Sequence, residues 1–307
     1  MARPSRFGRL VTAMVTPFDD DGALDVDAAV ALARLLADNG STGLVLAGTT
    51  GESPALDDEE KLELWRAVGE AVTVPVLAGS TTNDTAHSIE MTRKAESLGV
   101  AGILAVTPYY SRPSQEGLAR HFAAVARSTS LPVMLYDIPV RTGRKIATGT
   151  ILRLAHEHPN VVALKDAAAN PAETTRVVAG APSGFEVYSG DDSLTLPLLA
   201  IGAVGLVSVA AHWLGPELAF VIDLFLEGDV EGAARMNAEL AELVAFQSGD
   251  EAPNPMPAKA MLRALGVRVG QCRLPHGPAS DVLDEQAAVM AADLESLRAA
   301  WAAALSA

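Results

Sequence analysis

Residues 161–166 read VVALKD, an apolar run that ends on Lys165. Such a run is the pattern of a strand buried on both faces. A lysine is seldom fully buried unless it is paired or reactive. One reading places Lys165 at a rim, paired with Asp166 or another acid. Strand alternation gives a second. If Ala163 points inward, so does Lys165, while Leu164 faces the other way. Desolvation lowers the pKa of an inward lysine, and a neutral amine can attack a carbonyl, the first step of Schiff-base catalysis. Tyr136 closes a similar run, LPVMLYD, and shares a face with Met134. It is either a core tyrosine with its hydroxyl on a backbone acceptor or a proton carrier. Beside a Schiff-base lysine, a phenol can move protons between carbinolamine, imine and substrate.

Other polar residues also follow apolar runs. GTTGES supplies Thr49, Thr50 and Glu52. It is a simple turn, or a loop whose N–H groups and hydroxyls hold a carboxylate and pass a proton. It lacks the lysine of a phosphate loop. TPYYSRPS supplies Tyr109, Tyr110 and Arg112. Arg141, in IPVRTG, is a solvated loop cation or a bidentate carboxylate clamp above Tyr136. Asp191 and Asp192, in SGDD, raise the question of a metal. A metal would want histidine partners at regular spacing, and the six histidines are scattered along the chain. No metal and no cofactor is expected, which favours imine chemistry over a metal-dependent aldolase.

These residues need elements that hold them together. Eight short apolar runs recur, at 9–15, 43–48, 74–79, 101–106, 131–137, 161–166, 185–190 and 204–209. Stretches of helical period separate them, among them DVDAAVALARLLADNG, DDEEKLELWRAVGEAV and NDTAHSIEMTRKAESLG, the last capped by Asn83 or Asp84. Eight strand–helix units imply a parallel sheet, closed or doubly wound. Eight is the number that closes a (β/α)8 TIM barrel, whose catalytic groups stand at the C-terminal ends of the strands. A doubly wound nucleotide fold would want G-x-G-x-x-G after a strand, and none is present. From about Pro216 only helical patterns remain. The expected organisation is a barrel over residues 1–225 and a C-terminal helical extension over 226–307.

Bulk properties agree. Of the 307 residues 49% are hydrophobic and 20% charged, a globular composition. Aromatics are only 5%, so the core must rest on Ala, Val and Leu. A net charge of −15 repels phosphate backbones, so no nucleic acid is expected as a partner. The single cysteine, Cys272, fits a reducing cytoplasm. The N-terminal apolar stretch is short and broken by Thr12, Thr16 and Pro17, so no signal peptide is read. Residues 193–216 carry no charge and are long enough to span a bilayer. Pro197, Gly202, Gly205 and His212 interrupt them, and a helix, a glycine turn and a buried strand are expected there rather than a membrane span.

Taken in order, GTTGES, VTPYY with RPSQEGL, LYDIPVRTG, VVALKDA, YSGDD and PNPMPAKAMLRALG resemble the dihydrodipicolinate synthase family, within the N-acetylneuraminate lyase and class I pyruvate aldolase superfamily. The resemblance covers essentially the whole chain. Its strongest pieces are Y-x-x-P-x-R-T-G and the lysine about thirty residues later. It implies that Lys165 forms a Schiff base with pyruvate, and that Tyr136 is the central proton shuttle. Thr49 would relay protons to Tyr110, which in the family reaches in from a neighbouring subunit. Thr50 would hold the pyruvate carboxylate, and Arg141 the carboxylate of aspartate 4-semialdehyde. Gly190 and Val207 would line the pyruvate pocket. The family assembles as homotetramers, dimers of dimers, which the C-terminal helices would shape. The reaction implied lies in lysine and diaminopimelate biosynthesis.

Departures from the family pattern carry information too. Asp137 stands where many members have Asn, and is expected to be tolerated. Lysine-inhibited members carry a carboxylate near the position of His87, and often histidines at Asp58 and Lys61. Weak or absent feedback by lysine is expected. A sister lyase, cleaving N-acetylneuraminate or a keto-sugar acid, would share Lys165, Tyr136 and the glycine loop but typically lack Arg141. A non-catalytic sensor barrel would have lost Thr49, Tyr136 or Lys165, and all three are present.

Overall fold

A computed structural model describes residues 5–247, Gly249 and residues 251–305. Eight strands follow one another around a ring: β1 (Leu10–Ala13), β2 (Gly43–Leu46), β3 (Val76–Ala78), β4 (Gly102–Val106), β5 (Val133–Asp137), β6 (Val161–Asp166), β7 (Glu186–Ser189) and β8 (Gly205–Ser208). Each pairs in parallel with the next, and β8 returns to β1 to close the barrel. Closure leaves no unpaired edge. The (β/α)8 reading is therefore correct, and the strands lie where the apolar runs placed them.

Helices between the strands start where the sequence offers acceptors. Asp25, Asp57, Asp84 and Ser114 each accept backbone N–H groups of the first turn. Asp57 does so in a reciprocal capping box with Glu60. Of Asn83 and Asp84, the cap is Asp84.

Strand alternation divides the apolar residues into two shells. Val11, Val45, Leu77, Met134, Ala163 and Val207 fill the barrel interior. Their neighbours Leu10, Leu44, Val133, Leu135 and Leu164 pack outward against the helices. The interior is closed at its N-terminal end. Phe7 is 1% exposed there, and its N–H reaches the Tyr188 hydroxyl at 3.4 Å. Tyr188 in turn donates to Glu186 at 2.8 Å.

The uncharged stretch at 193–216 is a short helix (Thr195–Ala200), a turn at Gly202 with φ +105°, strand β8 and the start of a helix over Ala211–Glu227. That last helix is kinked at Leu214, ahead of Pro216, whose ring cannot continue the hydrogen-bond ladder. It runs through residue 225, where the barrel was expected to end. Among the described residues, no helix is long and apolar enough to cross a membrane. Helices Val230–Glu239, Ala241–Ala245, Met256–Ala264 and Asp281–Leu305 complete the chain.

Candidate active site

Tyr136 and Lys165 occupy the same row of the barrel, as register partners on β5 and β6. In a parallel pair such partners point to the same side. Both point inward, continuing the face of Met134 and Ala163. Lys165 is 4% exposed, and its Nζ lies 4.3 Å from the centroid of the Tyr136 ring. The rim pairing with Asp166 does not occur. Asp166 faces outward and accepts from the Thr174 hydroxyl at 2.6 Å and the Ala168 N–H at 3.0 Å.

Asp137, the register partner of Asp166, behaves likewise. Its carboxylate accepts from the Ile146 N–H at 3.0 Å and from Lys145 Nζ at 3.1 Å. Burial pushes the Asp137 carboxyl above its usual range, and the Ile146 N–H and Lys145 oppose that. Lys145 also pairs with Glu173 at 3.0 Å. The aspartate is thus accommodated by a cation of its own.

Above this row lies a cavity of about 850 Å3. Thr49, Thr50, Tyr136, Arg141, Lys165 and Gly190 all line it. Gly190 has a steric reason to be glycine. A Cβ there would stand 2.9 Å from Lys165 Cγ and 3.0 Å from Ala167 Cβ, inside contact distance. Val207 does not reach the cavity wall. It is buried in the barrel interior, in the same apolar cluster as Tyr136. Tyr110 is also apart. It is 91% exposed, in a loop where its φ is +69°. Tyr109 instead lines a smaller adjoining cavity of about 260 Å3, shared with Thr49, Thr81, Arg141 and His276.

The loop after β2 is held from behind. Glu52 adopts a left-handed conformation, φ +54° and ψ +37°, unusual for a residue with a side chain. Its carboxylate is bonded to Lys259 Nζ at 2.7 Å, with both side chains 0% exposed, and accepts the Arg273 N–H at 2.9 Å. Lys259 Nζ also donates to the Gln271 carbonyl at 3.0 Å and stands 4.1 Å from the centroid of the Phe18 ring. Burial pulls the Lys259 ammonium below its usual range, against the pull of Glu52.

The helical extension also enters the site, which the sequence did not reveal. Asn237, Val244, Gln247 and Asn254 form one wall of the large cavity. Asn254 Nδ2 donates to Thr50 Oγ1 at 3.0 Å, and the Asn254 backbone carbonyl accepts from Arg141 Nη2 at 3.0 Å. The only sequence signal for this was PNPMPAKAMLRALG, a segment with no strand and no evident reactive group.

Asp191 and Asp192 act as local acceptors. Asp191 takes the Ser193 N–H and hydroxyl at the start of a helical turn. Asp192 is 2% exposed, accepts from the Ser208 hydroxyl and from the Val209 N–H at 3.1 Å, and burial raises its carboxyl pKa. Among the described residues, no group of three or more His, Cys, Asp or Glu is arranged to hold a metal. His212 is spent on structure: its Nε2 accepts from Val15 N–H at 3.1 Å, and its Nδ1 donates to the Val209 carbonyl at 2.7 Å.

A buried amine, a phenol against it, hydroxyls on a glycine loop and a guanidinium are thus gathered around one cavity. Similarity to known proteins points the same way. Residues 6–294 match the model of the dihydrodipicolinate synthetase family. The chain is 52% identical over 272 residues to 4-hydroxy-tetrahydrodipicolinate synthase of Moorella thermoacetica, spanning 88% of this chain and 92% of that protein. It is 49% identical over 294 residues to the enzyme of the same name from Acidothermus cellulolyticus, spanning 95% and 93%. Dihydrodipicolinate synthase from Cyanidioschyzon merolae, solved with lysine bound, superposes with a TM-score of 0.92 at 42% identity, over 95% of this chain and 99% of that one. A matching fold and a match along nearly the whole length leave one conclusion: this chain belongs to the dihydrodipicolinate synthetase family.

Proposed function

We propose that the protein condenses pyruvate with L-aspartate 4-semialdehyde to 4-hydroxy-tetrahydrodipicolinate, through a Schiff base at Lys165, on the route to lysine and diaminopimelate. The observation that carries this reading is the placement of Lys165 Nζ against the Tyr136 ring, inside a cavity that Thr50 and Arg141 also line. The relatives named 4-hydroxy-tetrahydrodipicolinate synthase support it.

Lys165 adds to the pyruvate ketone, and water leaves as the imine forms. The imine loses a methyl proton and becomes an enamine. Its carbon attacks the aldehyde carbon, and the aldehyde oxygen takes up a proton to become the hydroxyl. The substrate's amine then attacks the imine carbon, which closes the ring and releases Lys165. Tyr136 is placed to move protons in each of these steps. Thr50 binds the pyruvate carboxylate, and Arg141 that of the semialdehyde. Gly190 leaves the space in which Lys165 swings. Val207 acts as part of the floor beneath Tyr136.

The exposed Tyr110 suits a residue that completes a neighbour's site, with Thr49 relaying its protons. We assign it that role within a homotetramer of two dimers. The reaction is placed in the cytoplasm, in keeping with a single buried cysteine. Control by lysine is proposed to be weak or absent. The Cyanidioschyzon merolae enzyme has lysine bound, whereas here Asp58 is engaged by His87 Nε2 at 3.2 Å.

Borohydride reduction in the presence of pyruvate tests the chemistry. The expected product is a covalent adduct at Lys165, located by peptide mass. A coupled assay with pyruvate and aspartate 4-semialdehyde, beside one for N-acetylneuraminate cleavage, tests the substrate. An adduct with activity only toward N-acetylneuraminate would replace this reading with that of the sister lyase.

A further inference from the structure

Thr50 and Arg141 stand in segments that follow different strands, β2 and β5, yet one residue outside the barrel touches both. Asn254 is 6% exposed and Thr50 2%. An amide nitrogen can only donate, so in the bond between Asn254 Nδ2 and Thr50 Oγ1 the hydroxyl oxygen is the acceptor. A hydroxyl has one proton, free to rotate to whatever acceptor is offered. With a lone pair already claimed by Asn254, that proton is turned away from the amide. Thr50 has no acceptor for it among the described residues. It is left to donate into the cavity, where Lys165 would bind a keto acid.

We propose that Asn254 is a positioning residue: its side-chain amide fixes the polarity of the Thr50 hydroxyl so that the hydroxyl donates to the keto-acid carboxylate, while its backbone carbonyl steadies Arg141. This deepens the reading above and rests on it.

The amide is itself held in place. Five residues on, Lys259 bonds the Glu52 carboxylate at 2.7 Å with no exposure to water. The segment 254–259 is therefore fastened to the loop 50–52 at two points, one at each end. An ordering role for the loop and a polarity role for the hydroxyl make different predictions about substitution.

The experiment measures the pyruvate concentration that gives half-maximal borohydride trapping, in the full-length wild-type protein and in Asn254→Ala, Asn254→Asp, Thr50→Val and the Thr50→Val/Asn254→Ala double variant. Steady-state KM for each substrate and the thermal midpoint are read alongside. Asn254→Ala should raise the pyruvate requirement about tenfold, the loss of about one oriented hydrogen bond to an anion. It should leave the KM for aspartate 4-semialdehyde within about threefold, since the carbonyl on Arg141 remains. Asn254→Asp is isosteric but offers only acceptors, so it should capture the Thr50 proton and raise the requirement further than alanine does. The double variant should be no worse than Thr50→Val, because residues acting through one bond are not additive.

If Asn254→Ala fails to fold, the isosteric Asn254→Asp still carries the test. A pyruvate requirement within twofold of wild type in Asn254→Asp would overturn the proposal. So would an aspartate variant no worse than alanine, or independent multiplication of the two effects in the double variant. Absence of any adduct in the wild type would overturn the Schiff-base reading and this inference with it. A wild-type adduct with unaffected variants would overturn the inference alone.

Discussion

Lys165 and Tyr136 are register partners on neighbouring strands, with the lysine Nζ 4.3 Å from the centroid of the phenol ring. Parallel pairing makes this relationship rigid. Neither side chain can leave the inner face without shifting a strand by a residue, which would turn every core residue of that strand outward. The amine and the phenol are therefore held together by the same hydrogen bonds that close the barrel.

Tyr136→Phe keeps the ring and removes only the hydroxyl. We expect kcat to fall by about 10²–10⁴-fold, the range for a positioned acid–base group, with the pyruvate KM changed little. Steady-state kinetics with pyruvate and the semialdehyde checks this, and an unchanged kcat would remove Tyr136 from the proton path.

Gly190→Ala places a methyl carbon 2.9 Å from Lys165 Cγ. The lysine must move off its position, so the rate of borohydride trapping should drop by tenfold or more, on the order of 1.4 kcal/mol in the barrier. The circular dichroism spectrum should be retained. Trapping at the wild-type rate would show that the strand ends have room to adjust.

Lys259→Met leaves the Glu52 carboxylate buried without its cation. Breaking one side of a buried pair costs about 3–5 kcal/mol, read as a lower urea midpoint. Replacing both, as Glu52→Gln with Lys259→Met, should recover part of that stability. Equal midpoints for the single and double variants would show that the pair does not act as a unit.

Acid should destabilise the fold through its buried histidines. Burial lowers the pKa values of His121 and His212 from 6.5 to about 4. The unfolded chain then binds more protons below pH 6.5, so each contribution is complete above that pH and is lost as pH falls toward 4. Each is worth at most about 3 kcal/mol. Asp137 and Asp192, raised by burial, act in the opposite sense. Urea midpoints between pH 7.5 and 4.5 should fall for the wild type and fall less steeply for His212→Asn. Parallel curves would show that His212 is not the group responsible.

Lysine should inhibit poorly, because Asp58 is engaged by His87, and Lys61, only 6% exposed, adds a positive charge to the same region. A steady-state titration with lysine checks this, and half-inhibition in the micromolar range would refute it.

Much of the site was legible before any coordinates. Eight apolar runs, their ends and the shared parity of Ala163 with Lys165 and Met134 with Tyr136 follow from a period of two fixed by backbone geometry. Which residues stand at the strand mouths is a local property, so Thr49, Thr50 and Arg141, which line the cavity, could be named from position alone, whereas Gly190 came only from the resemblance. Folding decided what local pattern does not encode. Val207 is packed in the barrel interior rather than on the cavity wall, which takes Val209 instead, because the height at which a strand sits in the barrel is set by register with its neighbours, here Val207 against Val11. Asn254 meets Thr50 across 204 residues, and Lys259 meets Glu52 in a dry contact. No periodicity relates such positions. They become neighbours only when the C-terminal helices pack back against the barrel, and burial then makes each unpaired charge or amide too costly to leave without a partner.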